Sequence, residues 1–263
     1  MVRTQQESGG LSPDDLAELE SRSAAEVIAW VLEKYGRRAA ICTSFQAEGM
    51  VVLDLASRIC PEIRVFTIDT GRLPPETYEL MDQVREHYGI DVEVYFPDQD
   101  QLAQLAKSHG VNPFYRSVAL RLLCCEIRKV NPLNRVLPNL AAWITGLRSG
   151  QAQTRATLSK VEVDREHGNI IKVNPLADWT REQIWDYVHA HALPYNRLYD
   201  QGYTSIGCAP CTRAVTSGED ERAGRWWWEN GVAKECGLHW TQPQGMPPQG
   251  MPPQGRPPQD ASK

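Results

Sequence analysis

The chain predicts a doubly wound α/β domain built on a mostly parallel sheet. Two patterns carry that expectation: short apolar, strand-like runs alternate with amphipathic helical stretches, and capping boxes and glycine stops punctuate the helices. A third follows from them: the strand-like runs end in polar turns rich in hydroxyls and glycine, where ligands collect in such folds.

Taken in order, Ser23-Ala24-Ala25-Glu26 is a capping box that opens a helix to about Tyr35, and Gly36 is its stop. Ala39–Phe45 reads as a buried strand and Ala47–Ile59 as a helix. Ile63–Asp69 is a second strand. Pro74-Pro75-Glu76 starts a helix to about Tyr88 that Gly89 closes. Val92–Phe96 is a third strand, followed by a helix near Gln101–Ser108. Ala141–Gly146 is another strand and runs into a Gly/Arg/Gln/Thr loop. Thr157–Val163 and Ile170–Val173 read as a hairpin or two short strands. Thr180 begins a last helix, with a capping box and a Trp179/Ile184 staple.

Organisation follows from composition. The chain has 263 residues, 41% hydrophobic and 23% charged, enough for a real core. A net charge of −5 argues against a nucleic-acid binder. No run approaches a membrane span, and the polar N-terminus carries no secretory h-region, so a cytoplasmic protein with reduced thiols is expected. We divide the chain into a lead-in over 1–22, one α/β domain over 23–228, a mobile segment over 229–240, and a repeat tail over 241–263. The tail, TQPQG-MPPQG-MPPQG-RPPQD, holds seven of the 18 prolines and has nothing to bury. It reads as a solvated, polyproline-like or disordered extension, with a ligand for a proline-binding partner as the alternative.

Three strand ends converge on one expected crevice. Cys42-Thr43-Ser44-Phe45-Gln46-Ala47-Glu48-Gly49 is a strand–loop–helix turn with backbone N–H groups at a helix N-terminus, suited to an anion, although it is neither a Walker A loop nor a GxGxxG. Thr67-Ile68-Asp69-Thr70-Gly71 ends the second strand. Thr145-Gly146-Leu147-Arg148 ends a later one, with Arg155 beyond; guanidinium forks at Arg148 and Arg155 would bind a phosphate or sulfate.

The seven cysteines divide by context. Cys42 and Cys60 read as small buried hydrophobes. Cys124-Cys125 and Cys208-Ala209-Pro210-Cys211 together supply four thiols, the complement of a Cys-ligated iron–sulfur cluster or a tetrahedral zinc; the CxxC alone also suits a redox dithiol. The vicinal pair favours a cluster, because adjacent side chains diverge and reach two irons more easily than they chelate one ion. Cys236 stands apart in Glu235-Cys236-Gly237-Leu238-His239 and reads either as an exposed nucleophilic thiol or as an incidental terminal cysteine. Arg222 and Arg225 lie three apart and would share a face if helical.

This ordered set resembles the assimilatory sulfonucleotide reductases, in their cluster-containing adenylyl-sulfate (APS) branch. The resemblance rests on Ser44-Phe45-Gln46-Ala47-Glu48, Thr67-Ile68-Asp69-Thr70-Gly71-Arg72, Cys124-Cys125-Glu126-Ile127-Arg128-Lys129 and Thr145-Gly146-Leu147-Arg148. It continues through Asn174-Pro175-Leu176-Ala177-Asp178-Trp179, Ile206-Gly207-Cys208-Ala209-Pro210-Cys211-Thr212-Arg213, residues 218–227 and Glu235-Cys236-Gly237-Leu238-His239. It covers about residues 20–240; Gly49 departs from the family's usual Asp, and the tail has no counterpart.

The resemblance implies an adenine-nucleotide α-hydrolase-like fold, and reduction of APS by thioredoxin or glutaredoxin to sulfite and AMP through an S-sulfocysteine on Cys236, in sulfate assimilation. It implies a [4Fe-4S] cluster on Cys124, Cys125, Cys208 and Cys211, structural and electrostatic in role. It further implies substrate binding by Ser44, Phe45, Gln46, Lys129, Arg148, Arg155, Arg222 and Arg225, with His239 assisting catalysis. A homo-oligomer is compatible with it. The rival readings are a 3′-phospho-APS (PAPS) reductase or one taking both nucleotides, an RNA-thiolating ATP pyrophosphatase (whose SGGxDS-type loop this chain lacks), and a non-catalytic metal-binding interaction module with no use for Cys236.

Overall fold

The computed structural model describes residues 11–229. Cys236, His239 and the repeat tail therefore lie outside the described residues.

The elements run α1 Pro13–Ser21, α2 Ala24–Tyr35, β1 Ala39–Cys42, α3 Ala47–Ile59, β2 Arg64–Ile68, α4 Pro75–Tyr88, β3 Val92–Tyr95 and α5 Gln99–His109. They continue with α6 Val118–Cys125, α7 Asn131–Val136, β4 Ala142–Ile144, β5 Val161–Asp164, β6 Ile170–Val173 and α8 Arg181–Ala190. The six strands form one sheet in the order β3-β2-β1-β4-β6-β5. β5 alone is antiparallel and pairs with β6, so the 157–173 region is a hairpin.

The strands alternate their side chains between two cores, and this makes the sheet doubly wound. Ile41, Val65, Ile144 and Val173 face one side, against Val27, Ile28 and Val31 of α2, Met50 and Leu53 of α3, Leu80 and Val84 of α4, and Ile184 and Val188 of α8. Ala40, Phe66, Trp143 and Ile170 face the other, against Leu133 and Val136 of α7 with Leu137 and Leu140.

The caps read from sequence form as expected. Ser23 and Glu26 close a capping box, as do Thr180 and Gln183. Gly89 ends α4 in the left-handed region at φ 65°, where a side chain would be strained. Residues within the expected lead-in form α1, with its own box from Ser12 to Asp15 and Pro13 in the first turn. β1 stops three residues short of the expected Phe45. There Thr43 Oγ1 accepts from the Phe45 amide at 3.1 Å, and Phe45 turns to φ 57°, which breaks the extended run.

Among the described residues no helix is long and apolar enough to cross a membrane.

Candidate active site

The chain leaves β1 toward β2 on one side of the sheet and, by way of β4, fills the other. The β1/β4 boundary is therefore the topological switch point, where the loops at the strand ends diverge. A cavity of about 130 Å3 opens there. Cys42, Thr43, Ser44, Gln46 and Glu48 line it from β1 and the start of α3, Thr67, Ile68 and Thr70 from β2, and Thr145, Gly146, Leu147, Gln151 and Arg155 from the end of β4. Lys129, Ser205, Ile206, Gly207, Glu221, Arg222 and Arg225 complete the wall.

Gln46 caps α3 and latches the far loop to it: its Oε1 accepts from the Ile206 amide at 2.8 Å, and its Nε2 donates to Ser44 Oγ at 3.2 Å. The amides of the first α3 turn face the cavity region with few partners inside the helix. One of them, Ala47 N, donates to the buried Tyr199 hydroxyl at 3.1 Å. Burial, with Glu48 nearby, pushes the Tyr199 phenol up, so it stays neutral.

Four cations, Lys129, Arg155, Arg222 and Arg225, line this cavity, and three of them, Lys129, Arg155 and Arg225, are at least nine-tenths buried. Arg225 has the clearest structural basis. Its guanidinium lies flat on Gly207, where a Cβ would meet Nη2 at 2.2 Å, and it covers Trp226 at 4.7 Å. Among the described residues its Nη1 makes only long bonds, to Ser205 Oγ at 3.4 Å and Ile206 O at 3.3 Å. Its Nε has no partner among the described residues, which leaves donor capacity for an anion. Arg222 and Arg225 do not share a helix. Residues 222–226 are turns, and Arg225 pairs with Thr212 in a short antiparallel bridge that Arg213 N to Gly224 O, 3.0 Å, extends.

Of the residues expected to bind substrate, Arg148 and Phe45 do not line this cavity. Phe45 is 1% exposed and its ring belongs to the core against α3, so only its backbone shapes the turn. Arg148 is 2% exposed and lies behind the wall: Nε donates to Glu48 Oε1 at 2.9 Å and Nη2 to Glu221 Oε1 at 2.8 Å. Gln151 Nε2 also donates to Glu48 Oε1 at 2.9 Å, and Arg155 Nη1 donates to Gln151 Oε1. Arg148 thus positions two wall carboxylates, and Gln151 carries that order on to Arg155. Cys42 and Cys60 are half-buried and not fully buried; Cys42 packs against the second core and also lines the cavity.

Beside this cavity lies a second, smaller one of about 20 Å3, with room for roughly one water. Cys124 and Cys125 from the end of α6 and Cys208 and Cys211 from the 208–211 turn all line it. Arg72, Arg121, Arg128 and Lys129 ring the sulfurs, and Lys129 lines both cavities. Thr70 Oγ1 lies 3.3 Å from Cys208 Sγ. Burial raises the Cys124 thiol, and burial with the nearby Cys208 pushes Cys211 up to about 12. Among the described residues no group of three or more His, Cys, Asp or Glu side chains closes about a single ion.

Arg121 shows a signal that spacing along the helix reveals: on α6 it sits three and four residues before Cys124 and Cys125, so it shares their face. It is held by Glu229 at 2.9 and 3.0 Å and lies 4.6 Å from the Trp226 ring. Glu48, Gln151 and Glu221 were not legible as wall residues, because the contacts that place them join loops far apart in sequence.

Comparison with known proteins places the chain in context. Residues 38–214 match the phosphoadenosine phosphosulfate reductase domain family. An adenosine 5′-phosphosulfate reductase of Allochromatium vinosum is 48% identical over 90% of this chain and 91% of its own length, and one of Agrobacterium fabrum is 46% identical over 81% of each. Among solved structures, a phosphoadenylyl-sulfate reductase from Candida auris superposes with TM-score 0.66 at 30% identity, covering 78% of this chain and 98% of that one. Yeast FAD synthetase, at 12% identity and TM-score 0.53 over 81% of this chain and 70% of its own, shares the fold alone.

Proposed function

The chain belongs to the phosphoadenosine phosphosulfate reductase family, and we propose that it reduces adenosine 5′-phosphosulfate to sulfite and AMP in sulfate assimilation. It is an oxidoreductase acting on a sulfur group. The observation that carries the reading is the cationic cavity at the β1/β4 switch point, lined by Lys129, Arg155, Arg222 and Arg225 together with Gln46 and Glu48 at the α3 N-terminus. Such a site suits the phosphosulfate of a nucleotide, whose charge grows on the bridging oxygen as the sulfur–oxygen bond breaks. The relatives that carry the APS name are 43–48% identical, against 30% for the PAPS-named structure, and this favours the unphosphorylated 3′-hydroxyl.

In the proposed reaction the Cys236 thiolate attacks the sulfonate sulfur. The bond from sulfur to the bridging phosphate oxygen breaks, AMP leaves with that electron pair, and an S-sulfocysteine remains. A dithiol of the thioredoxin or glutaredoxin class attacks Cys236 Sγ and expels sulfite with the electron pair of the sulfur–sulfur bond. Its second thiol then resolves the mixed disulfide and restores Cys236. Substrate sulfur gains two electrons and the dithiol loses two. On this reading Arg225 and Arg222 bind the phosphosulfate, Lys129 and Arg155 offset thiolate–anion repulsion, Ser44 and the α3 amides hold the phosphate side, and Gln46 keeps the 205–207 loop closed on them. His239 would assist from beside Cys236.

We also propose that Cys124, Cys125, Cys208 and Cys211 hold a [4Fe-4S] cluster. The donor set supports this: four thiols line one small cavity, and Arg72, Arg121, Arg128 and Lys129 line it with them. The group would supply ligation and local electrostatics, and no electron is routed through it.

The test is Cys236→Ser in the full chain, assayed for sulfite from APS with a reduced dithiol protein, together with a mass measurement of the wild-type adduct. Loss of sulfite with an S-sulfonate on Cys236 of the wild type is expected; undiminished sulfite release from the variant overturns the mechanism. A steady-state comparison of APS with PAPS tests the preference, and equal kcat/KM values overturn it.

A further inference from the structure

A contiguous aromatic patch on the surface is not used by the proposed reaction. Tyr115 and Trp227 are exposed at 47% and 39%, and Trp228 lies between them, half-buried. The Tyr115 and Trp228 rings are 4.6 Å apart at 63°, and those of Trp227 and Trp228 are 4.7 Å apart at 82°. Phe114 backs the patch. Near-perpendicular rings leave furrows between them, the surface on which polyproline helices dock. Tyr115 donates from its hydroxyl to Pro210 O at 2.8 Å, so the patch is rigidly tied to the cysteine turn.

We propose that this patch is occupied by the chain's own Pro-Pro-Gln-Gly repeat in a polyproline II conformation. Three observations select that occupant. The described structure ends at Glu229, the residue after Trp228, so the C-terminal chain departs from the edge of the patch. Residues 230–240 span up to roughly 36–40 Å when extended; a domain of this size has a radius of gyration near 17 Å, so the repeat reaches the patch whatever route that segment takes to the active site. The run Thr241–Gly255 carries no charged residue and presents Met-Pro-Pro twice. Tethering sets an effective concentration in the millimolar range, so even a contact that is weak between separate molecules is populated within one chain. The inference is independent of the proposed reaction.

The methionines provide the probe. Of the five in the chain, Met246 and Met251 lie in the repeat and Met50 and Met81 in the α/β domain. In the full chain with 13C-methyl methionine, the Met246 and Met251 methyl signals should be displaced from random-coil positions by ring currents. They should return in the Tyr115→Ala/Trp227→Ala double variant and in a second variant with the repeat prolines changed to serine. Met50 and Met81 report that the fold is intact; the proline variant leaves the domain untouched, so it decides the matter if the aromatic variant unfolds. Repeat signals at random-coil positions in the wild type, or displaced signals that ignore both variants, overturn the proposal. Displacement that fades on dilution overturns it too, in favour of a second copy on the patch.

Discussion

Arg148→Met should unfold far more easily than the wild type, although Arg148 itself does not line the cavity. The guanidinium is buried and bridges Glu48 at 2.9 Å and Glu221 at 2.8 Å. Methionine fills much of the volume, so the deficit is electrostatic: two carboxylates remain in one buried place with no cation between them. Breaking a buried ion pair in this way costs about 3–5 kcal/mol, a fall in Tm of roughly 10 °C for a domain of this size. The deficit has a sign in pH. Burial raises Glu221 and Glu48 adds to that, while Arg148 opposes it, and the net value stands above the usual 4.5. Without Arg148 it rises further. A carboxyl raised in the folded state holds its full stability below the unfolded value and loses it as pH rises through the folded one. The variant's deficit should therefore be smallest near pH 4 and greatest near neutrality, and Glu221→Gln added to it should recover part of the loss. Urea unfolding at several pH values reads this directly. A variant as stable as wild type at neutral pH, with only a raised KM for APS, would refute the reasoning and return Arg148 to the substrate.

Gly207→Ala places a Cβ 2.2 Å from Arg225 Nη2 and must displace that guanidinium; KM for APS should rise about tenfold, or 1.4 kcal/mol, with little change in Tm. Glu229→Ala removes the carboxylate that pairs with buried Arg121, and denaturant unfolding should show a loss of about 3–5 kcal/mol. Burial pushes Asp164 up, but hydrogen bonding and charge from His167, 2.7 Å away, hold it below its usual value. The stability it contributes is present above pH 4 and is lost as pH falls through the depressed value, so His167→Gln should flatten the acid limb of the stability profile.

The sheet was legible because its signals are local. The short apolar runs at Ala39–Cys42 and Ile170–Val173, the boxes at Ser23 and Thr180, and the Gly89 stop each depend on residues within a turn or so of one another. What depends on contacts across the fold was not legible. The spacing that made Arg148 look like an anion ligand cannot show that Glu48 and Glu221, distant in sequence, converge on it. Phe45 stands in a polar turn, yet a positive φ swings its ring into the core. Arg222 and Arg225 were three apart on an assumed helix, and it is a backbone pairing with Thr212 and Arg213 that aims Arg225. α6 and α7 escaped notice because Pro113, Pro132 and Pro138 break up the stretch that contains them.

The two cavities form one mechanical unit. Trp226 N donates to Cys211 O at 3.2 Å, and Arg213 N to Gly224 O, so the turn that carries two of the four thiols is paired to the strand-like segment that carries Arg225. The Trp226 indole lies between Arg121 at 4.6 Å and Arg225 at 4.7 Å, one cation beside the thiols and the other in the nucleotide cavity. Gly224 permits the approach, since a Cβ there would lie 2.3 Å from Arg213 O. Whatever draws Cys208 and Cys211 toward Cys124 and Cys125 must therefore also set the position of Arg225. Lys129, on the wall of both cavities, adds charge to the same boundary. A group bound at the thiols would need no electron transfer to matter for the proposed reaction: by fixing one turn, it would fix a guanidinium that lines the larger cavity.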